Sequence, residues 1–416
     1  MKRILILTVD YGYGHRSAAN AIAEALYETH GQECKVEIVN PLDDPHAPAF
    51  FRENQHDYDK MVREMPELYK LGYQVSEARL VGDLIKSTFT LALFNVLREL
   101  IREKQPDVIV CTYLFYQGIL SAIFAIEKRH IPLLTVVTDL ETVQSLWFHP
   151  VADLCLVPTQ PVYDLAIQAG LPPEKVKITG IPVRPELMKG DQDHTSLRQS
   201  LGWRSDLFTV LAVGSKRVEH LYDALRVLNH SGLPLQLVVV AGGDGELYRR
   251  FQETEWHVET HCYNFVAEMG TFMRAADCIL SKAGGLIVSE TLSCGLPMIL
   301  VDVIPGQEEG NRDYVVEHGA GAMIDSPMQM LEILSHWVAD GRKKLRQVAS
   351  KSLRVGKPNS ASEVVNYVWR AALHGPVNKR GKSGLSLPGL IELLTRHNIP
   401  WVKEPVKPKV TNNEDK

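Results

Sequence analysis

The chain of 416 residues is longer than one ordinary hydrophobic core, so its length predicts two domains. Its 45% hydrophobic and 23% charged residues are typical of a folded globular protein and exclude wholesale disorder. The formal net charge of −5 argues against a protein that binds nucleic acid by bulk electrostatic attraction, so we expect no nucleic-acid partner.

The first residues and the cysteines favour a reducing, cytoplasmic compartment. The apolar run that begins the chain is too short for a signal peptide, and glycines and a histidine follow it directly. No apolar run reaches the ~18–20 residues that a membrane span requires, so membrane contact would be peripheral. The six cysteines form no C-x-x-C pair, and most lie in apolar runs where Cys acts as a small core residue.

The first part of the chain alternates apolar runs with helical patterns. A Gly-rich turn after the first run leads into a predicted helix from about His15 to His30, with an apolar face. Strands that alternate with helices predict a parallel, doubly wound sheet, here over residues 1–185. The predicted strands are Arg3–Val9, Lys35–Val39, Val108–Cys111, Leu133–Thr138, Leu154–Pro158 and Val176–Thr179.

An insertion of about residues 42–105 interrupts this series. It is rich in aromatic and basic residues and too long for a plain crossover, so it predicts extra helices, the clearest at Thr88–Glu103. The alternative to a functional role for this insertion is that its helices only cover the sheet.

A second strand–helix series follows a polar, proline-containing linker that starts at Ile181. Two such halves predict an α/β protein of two Rossmann-like, doubly wound domains with a ligand cleft between them. The second domain is predicted over 190–370, followed by a flexible tail over 375–416 with a short helix at Leu387–His397. Its predicted strands are Phe208–Val213, Leu235–Ala241, His261–Phe265, Cys278–Leu280 and Met298–Val303.

The most informative stretch, Ser281–Asn311, begins with a glycine turn that opens a helix. The turn Ala283–Gly285 lets the backbone approach a phosphate, and the N–H groups and positive dipole end of the helix point to the same place. Lys282, just before the turn, is within reach of a phosphate.

Acids and amides follow the turn at separations that one ligand can bridge. Glu290 lies roughly one and a half turns into the helix, where its carboxylate can accept from both hydroxyls of a ribose. Gln307, Glu308 and Asn311 follow the next strand and suit sugar hydroxyls. Together these residues predict a site for the polar part of a nucleotide sugar; the alternative is a solvent-facing helix acid with loop amides.

The N-terminal turn, Asp10–His15, lies between a predicted strand and a predicted helix. It lacks the third glycine of a dinucleotide fingerprint, since Ser17 follows Gly12 and Gly14, and no acid ends the second strand. This excludes a dehydrogenase. His15 is predicted to act on an acceptor hydroxyl or to hold a substrate, with a turn-capping histidine as the alternative.

Asp139 ends an apolar strand, where functional groups collect in open α/β sheets. Its carboxylate is a candidate general base, or a group that orients His15; the alternative is a helix N-cap. Trp147, Phe148 and His149 follow and either line the cleft or pack in the core.

Two further segments are candidates for the nucleotide. Lys216 and Arg217 follow the first strand of the second half and can offset phosphate charge, unless they form a solvated basic turn. Phe265, with Val266 and Met269, can hold a nucleobase by stacking and edge hydrogen bonds, unless Phe265 packs in the core.

These residues resemble glycosyltransferase family 28, in the branch of plant galactosyl-diacylglycerol synthases and bacterial diacylglycerol glucosyltransferases. The resemblance spans the chain to about residue 370. It rests on three blocks, Gly12–Leu26, Thr135–Asp139 with Trp147–Pro150, and Phe265–Val316. It implies a GT-B architecture and an inverting, metal-independent transfer from a UDP-sugar, with no cofactor.

The resemblance also implies roles for single residues. His15 lies on the acceptor side as base or orienter, and Asp139 is the other base candidate. The implied donor-side residues are Gly14, Lys216, Phe265, Val266, Met269, Lys282, Gly284, Gly285, Leu286, Glu290, Gln307, Glu308 and Asn311. The chain departs from the family at Val213–Arg217, often a Gly-rich turn, and at Tyr113, where a histidine is common.

The implied reaction moves glucose or galactose to diacylglycerol or a related lipid. The aromatic and basic residues of the insertion would contact an anionic membrane surface, at the inner face of the cell membrane. Two alternatives are a nucleotide-sugar epimerase of the same fold and a sugar-nucleotide-binding subunit without catalysis.

Overall fold

A computed structural model of the chain describes residues 1–10, 14–47, 93–188 and 193–378. Most of these residues form two units, each built around a sheet of six parallel strands. The prediction of two Rossmann-like, doubly wound domains is confirmed.

The first sheet has its first strand between the second and the third. Ile4 pairs with Val36 on one side and with Val108 on the other, in parallel register. The central strand Leu133–Val136 is buried at every position, as expected for a parallel strand covered on both faces. In order across the sheet, the strands are Cys34–Val39, Lys2–Leu7, Val108–Cys111, Leu133–Val136, Leu154–Val157 and Val176–Ile178.

Helices cover both faces of this sheet. The helix Gly14–His30 buries a face rich in small residues, including Ala18, Ala21 and Ala25, which lets its axis approach the sheet closely. Thr159 caps the N-terminus of a later helix by accepting from the N–H of Val162. The other helices of this unit are 93–104, Tyr116–Glu127 and Gln160–Gln168.

The second sheet has the strand order 3-2-1-4-5-6. Its first strand therefore lies between the second and the fourth, and a crevice opens where the connections leave in opposite directions. In order across the sheet, the strands are Glu259–Tyr263, Leu235–Val240, Phe208–Val213, Cys278–Lys282, Met298–Asp302 and Gly321–Met323. The helices are His194–Ser200, Leu221–Asn229, Gly245–Glu253, Met269–Ala275, Gly285–Ser293, Glu309–Glu317, Pro327–Val338 and Lys343–Val355.

The last described helix, Ser360–His374, returns to the first sheet. Its side chains Val364 and Val368 are buried in one cluster with Ile4 and Ile22 of the N-terminal unit. Residues 360–370, which the sequence assigned to the second domain, therefore pack with the first one.

The predicted strands agree with the structure to within two residues at their ends, and the strand predicted at His261–Phe265 lies two residues earlier, at Glu259–Tyr263. The edge strand Gly321–Met323 was not predicted. Most of the predicted insertion, 42–105, lies outside the described residues, as do most of the tail and the helix predicted at Leu387–His397. Across the described ranges, each helix is too short or too polar to pass through a bilayer.

An ion pair is buried at the amino end of the strand Cys278–Lys282 in the second sheet. Arg198 and Asp277 lie 2.9 Å apart, and their side chains are only 4% and 8% exposed. Arg198 also donates to the backbone oxygens of Ala275 and Leu207. We expect Arg198→Ala to lower the free energy of unfolding by about 3 kcal/mol, because it leaves a buried carboxylate with one partner fewer.

Arg204→Ala is the matched control for this prediction in urea unfolding. Arg204 pairs with Asp206 at 2.6 Å, but the two side chains are 57% and 62% exposed, so water replaces the lost partner. Its loss is therefore expected to change the free energy of unfolding much less than the loss of Arg198 does. Equal losses for the two variants would contradict the structural role of the buried pair.

Candidate functional site

His15 lies at the start of the first helix, beside the carboxyl end of the first strand. Its Nδ1 is 2.8 Å from the carbonyl oxygen of Thr112 and 2.7 Å from Oγ1 of Thr138. A backbone carbonyl can only accept, so Nδ1 carries the proton and Nε2 carries the lone pair. The edge of the Tyr113 ring packs on the imidazole, with ring centroids 5.3 Å apart. This fixed tautomer gives His15 the form of a general base.

Asp139 faces the same place from the loop after the fourth strand. Its Oδ2 accepts a hydrogen bond of 2.7 Å from the indole Nε1 of Trp147. Burial raises the pKa of Asp139, an effect opposed by His15 and by this hydrogen bond. Burial lowers the pKa of His15, an effect opposed by the charge of Asp139. The structure therefore brings the two predicted catalytic residues together.

The aromatic residues that follow Asp139 are core residues. Trp147 and Phe148 are buried in the hydrophobic core of the first domain, as the packing alternative predicted. Trp147 also orients the Asp139 carboxylate through its indole N–H.

The glycine turn lies across the crevice, on the second domain. Gly284 is the N-cap of the helix Gly285–Ser293, and no side chain of the described residues caps the first N–H groups of this helix. A Cβ added to Gly285 would lie 3.4 Å from the carbonyl oxygen of Thr138. The start of the donor-side helix therefore touches the segment that carries Asp139, so the two halves of the predicted site form one site.

Glu290 is buried in this helix, with 9% of its surface exposed. Burial raises its pKa to about 7; the charge of Arg184 lowers it and that of Glu186 raises it. Among the described residues, none contributes to this pKa shift through a hydrogen bond to Glu290. A buried carboxylate with this environment is a strong acceptor for ligand hydroxyl groups.

Lys282 and Glu308 form a salt bridge beside the turn. Oε1 of Glu308 contacts Nζ of Lys282, and Oε2 accepts from the N–H of Ile304 at 3.1 Å. A Cβ on Gly284 would lie 2.9 Å from Nζ of Lys282, so the ammonium group lies beside the turn. In this conformation both carboxylate oxygens of Glu308 contact the protein, and its role toward a sugar stays a prediction.

Asn311 is buried where the two domains meet. Its Nδ2 donates to the carbonyl oxygen of Ala283 at 2.9 Å, and its Oδ1 accepts from the N–H of Glu141 at 3.2 Å. Both ends of the amide are therefore bound to the protein, one on each domain.

The other predicted donor residues differ in their exposure and packing. Phe265 is 60% exposed just after the edge strand, so the packing alternative for it is wrong. Val266, Met269 and Leu286 are partly buried and pack against the second core. Gln307 is half-buried in the turn before the helix Glu309–Glu317. Gly14 starts its helix with open space where a Cβ would be.

Lys216 lines a cavity of about 270 Å³ with Tyr222, Asp244 and Arg250. The cavity lies at the carboxyl ends of the first two strands of the second sheet. The segment around Lys216 is anchored by Asp302, whose Oδ2 accepts from the N–H groups of Glu219 and His220 at 2.8 and 2.9 Å.

Sequence reasoning missed Arg184, which it placed in the linker. The structure brings its charge close enough to Glu290 to lower the pKa of that residue. The available signal was a basic residue six positions after the last strand of the sheet, Val176–Ile178, near an end where site residues collect. The hydroxyl of Thr138 and the carbonyl of Thr112 were also missed, since a threonine beside a strand end has no distinctive pattern.

Comparisons with known proteins agree with this geometry. Residues 15–183 match the family described as monogalactosyldiacylglycerol (MGDG) synthase, and residues 193–354 match glycosyl transferases group 1. A probable chloroplastic monogalactosyldiacylglycerol synthase of Glycine max is 33% identical over 378 residues, covering 88% of this chain and 70% of that protein. The chain belongs to the monogalactosyldiacylglycerol synthase family. The synthase of Spinacia oleracea is 32% identical, over 88% of this chain and 72% of that protein.

Solved structures support the same fold for this MGDG synthase family member. MurG of Acinetobacter baumannii has a TM-score of 0.56 at 14% identity, covering 89% of this chain and all of that one. The UDP-GlcNAc 2-epimerase of Neisseria meningitidis, solved with UDP-GlcNAc, has a TM-score of 0.59 at 14% identity, with the same two coverages. The predicted GT-B fold and the predicted family are therefore confirmed, and with them a glycosyltransferase.

Proposed function

We propose that the chain transfers a hexose from a UDP-sugar to the free hydroxyl of diacylglycerol, with inversion at the sugar. The observation that carries the proposal is the close approach of Gly285 to Thr138, where an added Cβ would lie 3.4 Å from the Thr138 carbonyl oxygen, so the helix start predicted to bind phosphate lies beside the loop of Asp139. Names of relatives support it: the relatives of Spinacia oleracea and Arabidopsis thaliana are called monogalactosyldiacylglycerol synthases.

The donor would lie along the second domain. Glu290 would accept hydrogen bonds from the ribose hydroxyls, and the exposed ring of Phe265 would stack on the uracil. The N–H groups at Gly285 would bind the diphosphate. Arg184 and Lys282 would offset its charge, so we propose that no metal ion is required.

The transfer would be a single displacement. Nε2 of His15 removes the proton of the acceptor hydroxyl while that oxygen attacks C1 of the sugar. The bond from C1 to the diphosphate oxygen breaks, and UDP leaves with the electron pair. Asp139 stabilises the imidazolium that forms, because the charge of Asp139 raises the pKa of His15.

The membrane proposal depends on residues outside the described ranges. The predicted insertion carries Phe50, Phe51 and Tyr58 beside Arg52 and Lys60, a composition that suits an anionic surface. We propose that the protein works on the inner face of the cell membrane, whereas the named relatives are chloroplastic.

Incubating the protein with UDP-glucose or UDP-galactose and vesicles that contain diacylglycerol tests the proposal. We expect UDP release and one hexosyl-lipid product only when diacylglycerol is present, faster on vesicles with phosphatidylglycerol than on phosphatidylcholine alone. Conversion of the donor sugar without an acceptor would indicate an epimerase instead. UDP binding without turnover of either donor would indicate a non-catalytic subunit.

A further inference from the structure

We propose that Asn311 and Thr142 form an interdomain tie that positions the acceptor-side loop against the bound donor sugar. The tie consists of the loop Leu140–Thr142 on the first domain and of Gly310 and Asn311 on the second. It rests on the proposed function, and it adds residues that set the rate of transfer without touching the substrates.

Two hydrogen bonds define the tie. Oδ1 of Asn311 accepts from the N–H of Glu141 at 3.2 Å. Oγ1 of Thr142 accepts from the N–H of Gly310 at 3.1 Å. The second bond satisfies an N–H in the first turn of a helix, a group that has no partner within its own helix. The first domain therefore supplies a capping group for a helix of the second.

Close packing accompanies these bonds. A Cβ added to Gly310 would lie 2.7 Å from Oγ1 of Thr142 and 3.0 Å from Cβ of Glu141, so the glycine permits the approach. Leu140 is buried among Val288 and Val315 of the second domain. Its carbonyl still accepts from the hydroxyl of Thr159 of the first domain, at 3.4 Å. The loop is thus held by both domains.

The residues of the tie lie close in sequence to predicted catalytic and sugar-binding residues. Glu141 lies two residues after Asp139, and Asn311 lies three residues after Glu308. Nδ2 of Asn311 also donates to the carbonyl oxygen of Ala283, directly before the glycine turn. One buried amide therefore connects the loop of Asp139, the phosphate turn and the segment predicted to hold the sugar.

The tie is expected to affect the rate of transfer but not the affinity for UDP. The hydrogen bond between Thr142 and Gly310 is not among the proposed contacts of UDP, so UDP affinity does not need this part of the tie. Transfer needs His15 and Asp139 at a set distance from the sugar, because a small misplacement of reacting groups lowers the rate strongly. Loss of the tie should therefore lower kcat and leave UDP affinity nearly unchanged.

Thr142→Val and Thr142→Ser form a matched pair. Valine keeps the volume of threonine but has no hydroxyl, whereas serine keeps the hydroxyl. A hydrogen bond of this kind corresponds to a change of about 3- to 10-fold, so we expect T142V to lower kcat by that factor. We expect T142S to restore kcat to within about twofold, with UDP affinity unchanged in both variants. Asn311→Ala removes two bonds and should lower kcat by about tenfold or more.

Hydrogen exchange gives a readout that does not depend on activity. In the wild-type protein the amides of Glu141 and Gly310 should exchange slowly. T142V should speed exchange at the amide of Gly310, which donates to Thr142 in the wild type. It should also speed exchange at the amide of Glu141, because the whole loop then separates from the second domain more often. Faster exchange at Gly310 alone would overturn the tie, and so would equal kcat values for T142V and the wild type.

Two further outcomes separate this proposal from others. If kcat, UDP affinity and melting temperature all fall together in T142V, the residue is merely structural and the tie is wrong. If the wild-type protein transfers no hexose to diacylglycerol but the coupled exchange is observed, the proposed function fails while the tie stands.

Discussion

Replacing His15 by alanine should lower the rate of transfer by about 10²- to 10⁴-fold, the range that a general base contributes. The fixed hydrogen bond from Nδ1 to Thr112 leaves Nε2 as the basic atom. UDP affinity should stay the same, because His15 is proposed to act on the acceptor hydroxyl and not on UDP. Initial rates of UDP release and titration calorimetry with UDP measure the two quantities separately.

The dependence on pH follows from the direction of the pKa shift. Burial lowers the pKa of His15 below its ordinary value of 6.5, so the imidazole is neutral at pH 7. The rate should therefore be flat near neutrality and fall only as the pH decreases below 6.5. A rate that falls already between pH 8 and 7 would contradict a neutral, buried base.

Added imidazole and Asp139→Asn distinguish the two base candidates. Imidazole that diffuses into the space left in H15A should restore part of the rate if His15 is the base. The side chain introduced by D139N would still accept from Trp147, since an amide oxygen replaces the carboxylate oxygen. Rescue of H15A by imidazole assigns the proton transfer to His15. An H15A enzyme that keeps most of its rate, beside an inactive D139N enzyme, would assign it to Asp139.

The fold could be predicted because its signals are local. A parallel strand covered on both faces is a continuous apolar run, and Val108–Cys111 and Phe208–Val213 were predicted with their observed bounds. The edge strand Gly321–Met323 is half-buried and begins with glycine, so it has no such run. The helix Ser360–His374 packs on the first sheet. An amphipathic pattern predicts that a helix has one buried face, but it does not indicate which of two domains covers that face.

The site could be predicted in part for the same reason. Gly285 and Glu290 lie in one helix, so their relation follows from helix geometry. Asn311 was predicted as a sugar ligand from its place after a strand, but its amide bonds to Ala283 and Glu141. Glu141 lies 170 positions away, and no local pattern indicates such a partner. The place of Arg184 in the site was not predicted for the same reason, because Glu290, whose pKa its charge lowers, is distant in sequence.

Replacing Glu290 by glutamine should stabilise the free protein and weaken donor binding at the same time. The carboxylate is buried, and its pKa is raised from 4.5 to about 7. Relative to the unfolded chain, the folded state therefore binds a proton more tightly. The resulting penalty is absent below pH 4.5, grows as the pH rises and is complete above about 7. A shift of this size corresponds to roughly 3 kcal/mol.

Urea unfolding at two pH values measures the first half of this prediction. At pH 8 the E290Q variant should unfold with a free energy about 1–3 kcal/mol higher than the wild type. Near pH 4.5 the difference should vanish, because the wild-type carboxyl group is then neutral in the folded state. Glu332→Gln, at an exposed position of the helix Pro327–Val338, is the control and should change neither value. An E290Q protein that is less stable at pH 8 would show that the carboxylate has a structural partner.

Titration with UDP and 2′-deoxy-UDP measures the second half. Hydrogen bonds from ribose hydroxyls to a charged acceptor stabilise a complex by about 1.5–3 kcal/mol each, so E290Q should bind UDP about 10- to 100-fold more weakly. Wild-type protein should prefer UDP over 2′-deoxy-UDP by about tenfold, and E290Q should lose most of that preference. Such coupling assigns the ribose to Glu290 independently of any effect on folding. An unchanged preference in E290Q would place the ribose elsewhere. Glu290 would then be a buried acid that destabilises the fold without binding the donor.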